Sequence, residues 1–249
     1  MHFDKSGGYR WLDSFVMANV IQLATFRFCE KFLNHRNDPC GRLYDQMTQA
    51  ARSGKENIIE GSERAATSKE TEMKLTDVAK ASLCELRGDY ETWLLRHDRL
   101  PWRKNDPETQ AIFSLRLDRP EYSDDVAYDS CAHILAQQRK FSRWLDSDDD
   151  AVVANTLLVL INRTINMLNH QLQSQGDRFA KSGGFREQLN SVRTSERTQQ
   201  EDAPTCPDCN KPMHKRKAKT GKTAGQEFWG CTGYPGCKGV RNLGEMSSS

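Results

Sequence analysis

Two closely spaced pairs of cysteines stand near the C-terminus of this 249-residue chain. Two residues separate Cys206 from Cys209, and Cys231 and Cys237 follow after a gap of 21 residues. Each pair can form a short turn that offers two thiolates, and zinc prefers four such ligands in a tetrahedron. The spacing therefore predicts one structural Zn²⁺ that is held by four sulfurs and has no open position for a substrate.

The segment around these cysteines is basic. The chain has 36 Lys and Arg and 34 Asp and Glu, yet eight basic and only two acidic residues lie between 204 and 243. A basic arm on a neutral or acidic body is typical of proteins that bind a polyanion such as nucleic acid. The predicted contacts with nucleic acid include all eight basic residues, Lys211, Lys215, Arg216, Lys217, Lys219, Lys222, Lys238 and Arg241.

Three aromatic residues accompany the basic ones. Stacking on aromatic rings contributes about 1–3 kcal/mol per base in sequence-tolerant binding of single strands. Trp229 and Tyr234 are predicted to stack on bases, whereas Phe228, on the opposite face of the same strand, is expected in the small core. Two simpler hypotheses remain open: the aromatic residues serve only as that core, or the basic run is a solvated hairpin.

The rest of the chain is predicted to be helical. Apolar residues recur at three- and four-residue spacing through residues 10–173, and the last predicted helix covers 151–172. Residues 174–203 are polar and are predicted to form a linker. The expected fold class is an all-α four-helix bundle with extra helices, followed by a small C-terminal β zinc ribbon at residues 204–243.

Cysteine usage and hydropathy bear on the compartment. The four cysteines without paired spacing lie in apolar segments, where we expect small buried core residues of a reduced protein. No apolar run reaches the length that a membrane span needs, and no signal-peptide pattern opens the chain. We therefore expect a cytoplasmic protein without a membrane partner. These four cysteines are Cys29, Cys40, Cys84 and Cys131.

A six-residue phrase, Lys-Ser-Gly-Gly-aromatic-Arg, occurs at residues 5–10 and again at 181–186. Coincidence, or two similar loops, is the simpler interpretation of so short a repeat. The alternative is a pair of glycine turns that offer backbone N–H groups to phosphate.

The C-terminal segment resembles the zinc ribbon repeated at the C-terminus of bacterial type IA DNA topoisomerases. The resemblance rests on Cys-Pro-x-Cys at 206–209, Phe-Trp-Gly-Cys at 228–231 and Tyr-Pro-x-Cys at 234–237. Asn210 stands where that family usually has glycine, and Gly230 is expected to let the chain pass close to the metal. The resemblance implies a DNA-binding zinc finger with one structural zinc ion.

The helical part resembles the four-helix-bundle family encoded by 23S rRNA intervening sequences, in its longer suffix-type variant. The resemblance covers roughly residues 10–175 and is strongest where Asn57, Glu60, Gly61 and Arg64 repeat the family's N-I-A-E-G-x-x-R turn. It implies a homo-oligomeric ring, commonly a pentamer, and a reverse transcriptase as partner. The alternative role for these polar residues is to fix a tight helix corner by hydrogen bonding.

These features favour a non-enzymatic nucleic-acid-binding accessory protein, with DNA and single strands preferred over the alternatives. In this hypothesis an oligomeric helical hub displays the zinc ribbon. A second hypothesis is a protein-interaction scaffold that docks a polymerase or a reverse transcriptase. A topoisomerase-related enzyme component is disfavoured, because the sequence offers no nucleophile–base pair and no phosphate loop.

Overall fold

The structure is a computed structural model that describes residues 8–182, 203–218 and 225–242. The chain divides into two compact units, Met1–Phe185 and Arg186–Ser249. We call them the helical unit and the C-terminal unit. The helical unit is built of α-helices and the C-terminal unit carries a small sheet, so the predicted fold class is confirmed.

Four long helices form the bundle of the helical unit. The first helix contacts the second and the last, and the third contacts the second and the last, which closes a ring of four neighbours. Three shorter helices connect the third long helix to the last. Within residues 8–182 the elements are a 3-10 turn Gly8–Trp11, α1 Asp13–Phe32, α2 Arg42–Arg64, α3 Lys69–Arg96, α4 Pro107–Ser114, α5 Val126–Arg139, α6 Ser142–Leu145 and α7 Asp150–Ser182.

The last helix is longer than its apolar periodicity predicted. α7 continues past Leu172 to Ser182, so residues 174–182 are helix and not linker. Gln175 explains part of this extension, because its buried side chain donates to Glu72 Oε1 on α3 at 2.9 Å. The remainder of the predicted linker, up to residue 202, lies outside the described residues, as do most residues of the repeated glycine phrase.

α7 is also the core helix of the bundle. By length and composition its stretch Asp150–Ala180 could cross a membrane, but 72% of the apolar window in it is buried inside the protein. Val153, Leu157 and Ile161 are among the side chains that α7 contributes to the core. The burial of these side chains is what a helix at the centre of a bundle requires.

Two glycines let α2 and α3 approach each other closely. A Cβ atom added to Gly54 would lie 3.0 Å from Leu83 Cδ2, and one added to Gly61 would lie 3.3 Å from Leu75 Cβ. Asn57 donates to the carbonyl oxygen of Ser53 at 2.8 Å, within α2 itself. Arg64 Nη2 lies 3.9 Å from Glu60 Oε1, also within α2. These side-chain contacts of Asn57, Glu60 and Arg64 therefore run along α2, whereas the two glycines contact α3.

The scattered cysteines differ in exposure. Cys29 is buried in the core and Cys84 is half-buried, but Cys40 and Cys131 are exposed. Cys40 lies in the turn before α2, and Cys131 lies on the solvent side of α5, so neither position faces the bundle. The prediction of four buried core cysteines is confirmed for Cys29, holds in part for Cys84, which packs half-buried against the core, and is wrong for Cys40 and Cys131.

The C-terminal unit contains a three-stranded antiparallel sheet in the order β1-β2-β3. The strands are β1 Met213–Lys217, β2 Glu227–Cys231 and β3 Val240–Asn242. Residues that face each other across an antiparallel pair share one face of the sheet. Met213 lies opposite Cys231, and Lys215 lies opposite Trp229. The sheet therefore carries its first cysteine knuckle just before β1 and its second just after β2.

Candidate metal centre and its two sheet faces

The four paired cysteines meet in one cluster. Their Sγ atoms all lie within 4.8 Å of one another. Cys206 Sγ is 3.7 Å from Cys237 Sγ, and Cys209 Sγ is 3.3 Å from Cys231 Sγ. A tetrahedral ion with Zn–S bonds of 2.3 Å separates its sulfur ligands by about 3.8 Å. The donor set fits one structural Zn²⁺, as the spacing predicted.

The first knuckle is closed by backbone hydrogen bonds. The N–H of Asn210 donates to the carbonyl oxygen of Cys206 at 3.0 Å, and the N–H of Cys206 donates to that of Lys211 at 2.9 Å. Asn210 has a left-handed backbone with φ of 56°. Asparagine tolerates this region better than most residues, so the replacement of the usual glycine is explained.

In the second knuckle one backbone N–H donates to a sulfur and another closes the turn. The N–H of Gly233 donates to Cys231 Sγ at 3.2 Å, and the N–H of Cys237 donates to the carbonyl oxygen of Gly233 at 2.9 Å. Such donors stabilise a thiolate, which is the form that binds a metal. The knuckle thus prepares Cys231 as a ligand.

Hydrogen bonding divides the sulfurs into weaker and stronger acids. The backbone N–H of Lys211 is the main reason why the pKa of Cys209 falls to about 7. The Gly239 N–H acts in the same direction on Cys237, yet hydrogen bonds with the other sulfurs, above all Cys209, raise the pKa of Cys237 to about 12. Zinc supplies the positive charge that allows all four sulfurs to be ionised together.

Gly239 lies next to the cluster, and its lack of a side chain leaves room for Cys206 Sγ. A Cβ atom on Gly239 would overlap Cys206 Sγ, and the carbonyl oxygen of Gly239 accepts from the N–H of Cys231 at 3.0 Å. The sequence assigned the close approach to the metal to Gly230, and that assignment is wrong. A Cβ atom on Gly230 would instead lie 3.0 Å from Arg216 Cδ, on the other face of the sheet.

The cysteine cluster and its supporting turns lie in a segment with a family match. Residues 203–245 match the family model of the topoisomerase DNA binding C4 zinc finger. No curated protein and no solved structure matches the chain. The match includes all four sulfur ligands and the whole sheet, and it supports a nucleic-acid-binding role for the C-terminal unit.

One face of the C4 zinc finger is its core. Cys206, Met213 and Cys231 are buried, and Trp229 packs against them. Lys215 Nζ lies over the Trp229 ring, 5.4 Å from its centroid, which is a cation–π distance. The lysine thus covers one side of the tryptophan ring. Trp229 is two residues before Cys231 in β2, so both side chains point to the metal side. The prediction that Phe228 fills the core and Trp229 points outward is therefore reversed.

The opposite face presents a different set of side chains, which we call the outer face. Arg216 lies across from Phe228 in the β1–β2 pair. Its Cζ is 5.4 Å from the centroid of the Tyr234 ring, and its Nε donates to His214 Nε2 at 2.6 Å. Tyr234 is 58% exposed, so one side of the ring is open to a ligand. The outer face consists of His214, Arg216, Phe228, Gly230 and Tyr234.

The remaining basic residues are spread around the finger. Lys217 is on the metal side of the sheet and pairs with Glu227 at 3.8 Å, and Arg241 lies opposite Trp229. Lys211 and Lys238 are exposed beside the two knuckles. Lys219 and Lys222 lie outside the described residues. Among the basic residues that the structure describes on the strands, Arg216 lies on the outer face, whereas Lys215, Lys217 and Arg241 lie on the metal side.

Sequence reasoning missed two members of the outer face, His214 and Phe228. Alternation along a strand could have located Phe228, because a residue at odd spacing from the ligand Cys231 points away from the metal. His214 is not among the eight predicted basic contacts. Its hydrogen bond to Arg216 assigns it to holding that guanidinium in place.

Proposed function

We propose that the C4 zinc finger binds single-stranded nucleic acid, with DNA preferred, through its outer face. The match of residues 203–245 to a DNA-binding zinc finger family carries this proposal. The neighbouring guanidinium of Arg216 and ring of Tyr234 support it, since they offer a phosphate contact and a stacking surface side by side. A finger of this kind binds by charge and stacking and tolerates many sequences.

The outer face is preorganised to bind a single strand of nucleic acid. Arg216 is half-buried and is held between His214 and the Tyr234 ring, so it loses little side-chain freedom on binding. Gly230 is buried and has no side chain, which gives the Arg216 side chain room to lie against β2. Arginine suits this position, because its planar fork stacks on aromatic rings and contacts phosphate oxygens.

In this proposal the chain is a non-enzymatic accessory protein. The zinc ion is closed by four sulfurs and leaves no coordination position for a substrate. The helical unit would be the hub that displays several fingers, as its resemblance to ring-forming bundles implies. Linking fingers raises their effective concentration and strengthens weak contacts. Native mass spectrometry of the zinc-loaded chain tests the hub, and a monomer at micromolar concentration would contradict it.

Fluorescence anisotropy with a labelled single-stranded oligonucleotide over a salt series tests nucleic-acid binding. Each phosphate contact adds about 0.7 to the slope of log affinity against log salt for a single strand. Arg216→Ala should lower that slope by about one such contact. Lys217→Ala is the matched control, since Lys217 lies on the metal side and already pairs with Glu227.

A combined variant gives the decisive result. Replacing Lys215, Arg216 and Lys217 together with glutamate should weaken binding strongly and flatten its salt dependence. An unchanged slope in this variant, with zinc content intact, would refute nucleic-acid binding through the finger. A chain that captures a polymerase after nuclease treatment but binds no oligonucleotide would point to the scaffold hypothesis.

A further inference from the structure

A pocket lies in the helical unit. It forms where α4 and the segment before it pack on α7, and it encloses about 520 Å³. Pockets for small ligands commonly have volumes of about 300–1,000 Å³. Its apolar walls include Trp102, Phe113 and Leu158. Phe113 is 42% exposed although it lines the pocket, so part of its ring is free to contact a ligand.

Carboxamide side chains stand around the apolar walls. Gln110 donates its amide N–H to the carbonyl oxygen of Lys104 at 2.6 Å, which leaves its own oxygen as an acceptor. Asn162 accepts from Arg87 at 3.3 Å, which leaves its NH₂ group as a donor. Asn166 has no hydrogen-bond partner within residues 8–182, so both of its groups are free.

A neighbouring asparagine shows what a structural amide looks like in this fold. Asn155 is buried, accepts from the backbone N–H of Trp102 at 2.6 Å and donates to the carbonyl oxygen of Ala151 at 2.9 Å. Both groups of Asn155 serve the protein itself. Asn166, about three helical turns further along α7 and exposed at the pocket, has no such role.

We propose that this pocket binds a nucleobase or nucleoside. A base is planar, neutral and carries donors and acceptors on its edge, and asparagine and glutamine amides pair with such edges. Aromatic walls suit its faces. The two charged residues of the lining are Glu91 and Lys104, which have opposite signs, so the pocket gives no net attraction to a phosphate.

Isothermal titration of the full zinc-loaded chain with adenosine, guanosine, cytidine and uridine tests this site. At least one nucleoside should bind saturably with a Kd between about 10 μM and 1 mM. Asn166→Ala should weaken that binding about five-fold, because it removes a hydrogen-bonding group. Phe113→Ala should weaken it about ten-fold through lost stacking.

The control is Asn169→Ala, because Asn169 is an exposed asparagine on the same helix that does not line the pocket. This variant should bind the nucleoside with the affinity of the unmodified chain. Circular dichroism verifies that all three variants keep the bundle. Absence of saturable binding by all four nucleosides up to about 5 mM would overturn the proposal. So would binding that neither Asn166→Ala nor Phe113→Ala changes, or equal affinity for indole, which lacks the base's acceptors.

Discussion

Gly239 lies against the sulfur of Cys206 so closely that a Cβ atom at this position would occupy the space of the sulfur. The same glycine accepts a hydrogen bond from the backbone N–H of Cys231 at 3.0 Å, so its backbone cannot move away without breaking a contact to a second ligand residue. Glycine at position 239 is therefore a requirement of the metal centre.

Gly239→Ala should abolish zinc binding, because the added methyl group displaces Cys206 from the cluster. The measurement is zinc content per chain after dialysis, by atomic absorption. Gly236→Ala is the control, since its Cβ atom would lie 3.4 Å from the nearest atom, an ordinary contact. A Gly239→Ala chain that retains one zinc ion would contradict this account of the centre.

Removal of zinc by a chelator should unfold the C-terminal unit and leave the bundle intact. Within residues 203–218 and 225–242, the core of the finger consists of Cys206, Met213 and Cys231, with Trp229 and Cys237 packed on them. Such a core is too small to hold a sheet without metal. Amide NMR signals of β1 to β3 should collapse toward random-coil shifts, whereas the helical circular dichroism should persist. Loss of the helical signal on chelation would show that the two units do not fold independently.

The zinc ligands and the helical nature of the body could be predicted from the sequence, because metal geometry and helix periodicity both impose spacings on the chain. The face of Trp229 could also have been derived, from its two-residue distance to Cys231. The general tendency of tryptophan to stack on bases predicts the opposite face, and the spacing from the metal ligand overrides it.

Other features depend on contacts that no local pattern records. The extension of α7 to Ser182 involves Gln175, a polar side chain that is buried because Glu72 and Thr76 lie within hydrogen-bond distance. The pocket beside α4 likewise cannot be predicted from a local pattern, because it depends on which residues of α7 remain uncovered when α4 packs on that helix. Apolar periodicity predicts neither the helix extension nor the pocket, because each depends on contacts between residues far apart in the chain.

Gly54→Leu should destabilise the bundle by about 1–3 kcal/mol or more, because the new side chain would meet Leu83 in a filled core. Gly88→Leu makes the same change in α3, where a Cβ atom has no neighbour within 4 Å. Leucine is a better helix former than glycine, so this control should gain up to about 1 kcal/mol. Urea unfolding followed at a helical wavelength measures both; equal effects would contradict close packing at Gly54.

Thiol labelling should distinguish the scattered cysteines. Burial, reinforced by the charges of Asp38 and Asp89, raises the pKa of Cys29 to about 12. At pH 8 its reactive thiolate is therefore a negligible fraction, whereas Cys40 and Cys131 are exposed. Iodoacetamide followed by peptide mass spectrometry of the native zinc-loaded chain should show labels at Cys40 and Cys131 first. Labelling of Cys29 at a comparable rate would mean that the bundle opens around it.

Tyr234 and Trp229 should respond differently to replacement by alanine, because they lie on different faces of the finger. Tyr234→Ala should weaken single-strand binding by about 1–3 kcal/mol, the usual contribution of one stacked base, and leave zinc content unchanged. Tyr234→Phe retains the ring and should bind almost normally. Trp229→Ala should instead loosen the metal core, so its loss of binding should accompany faster release of zinc to a chromogenic chelator. If Tyr234→Ala released zinc as fast as Trp229→Ala, the tyrosine would be part of the core and the outer face could not be the stacking surface.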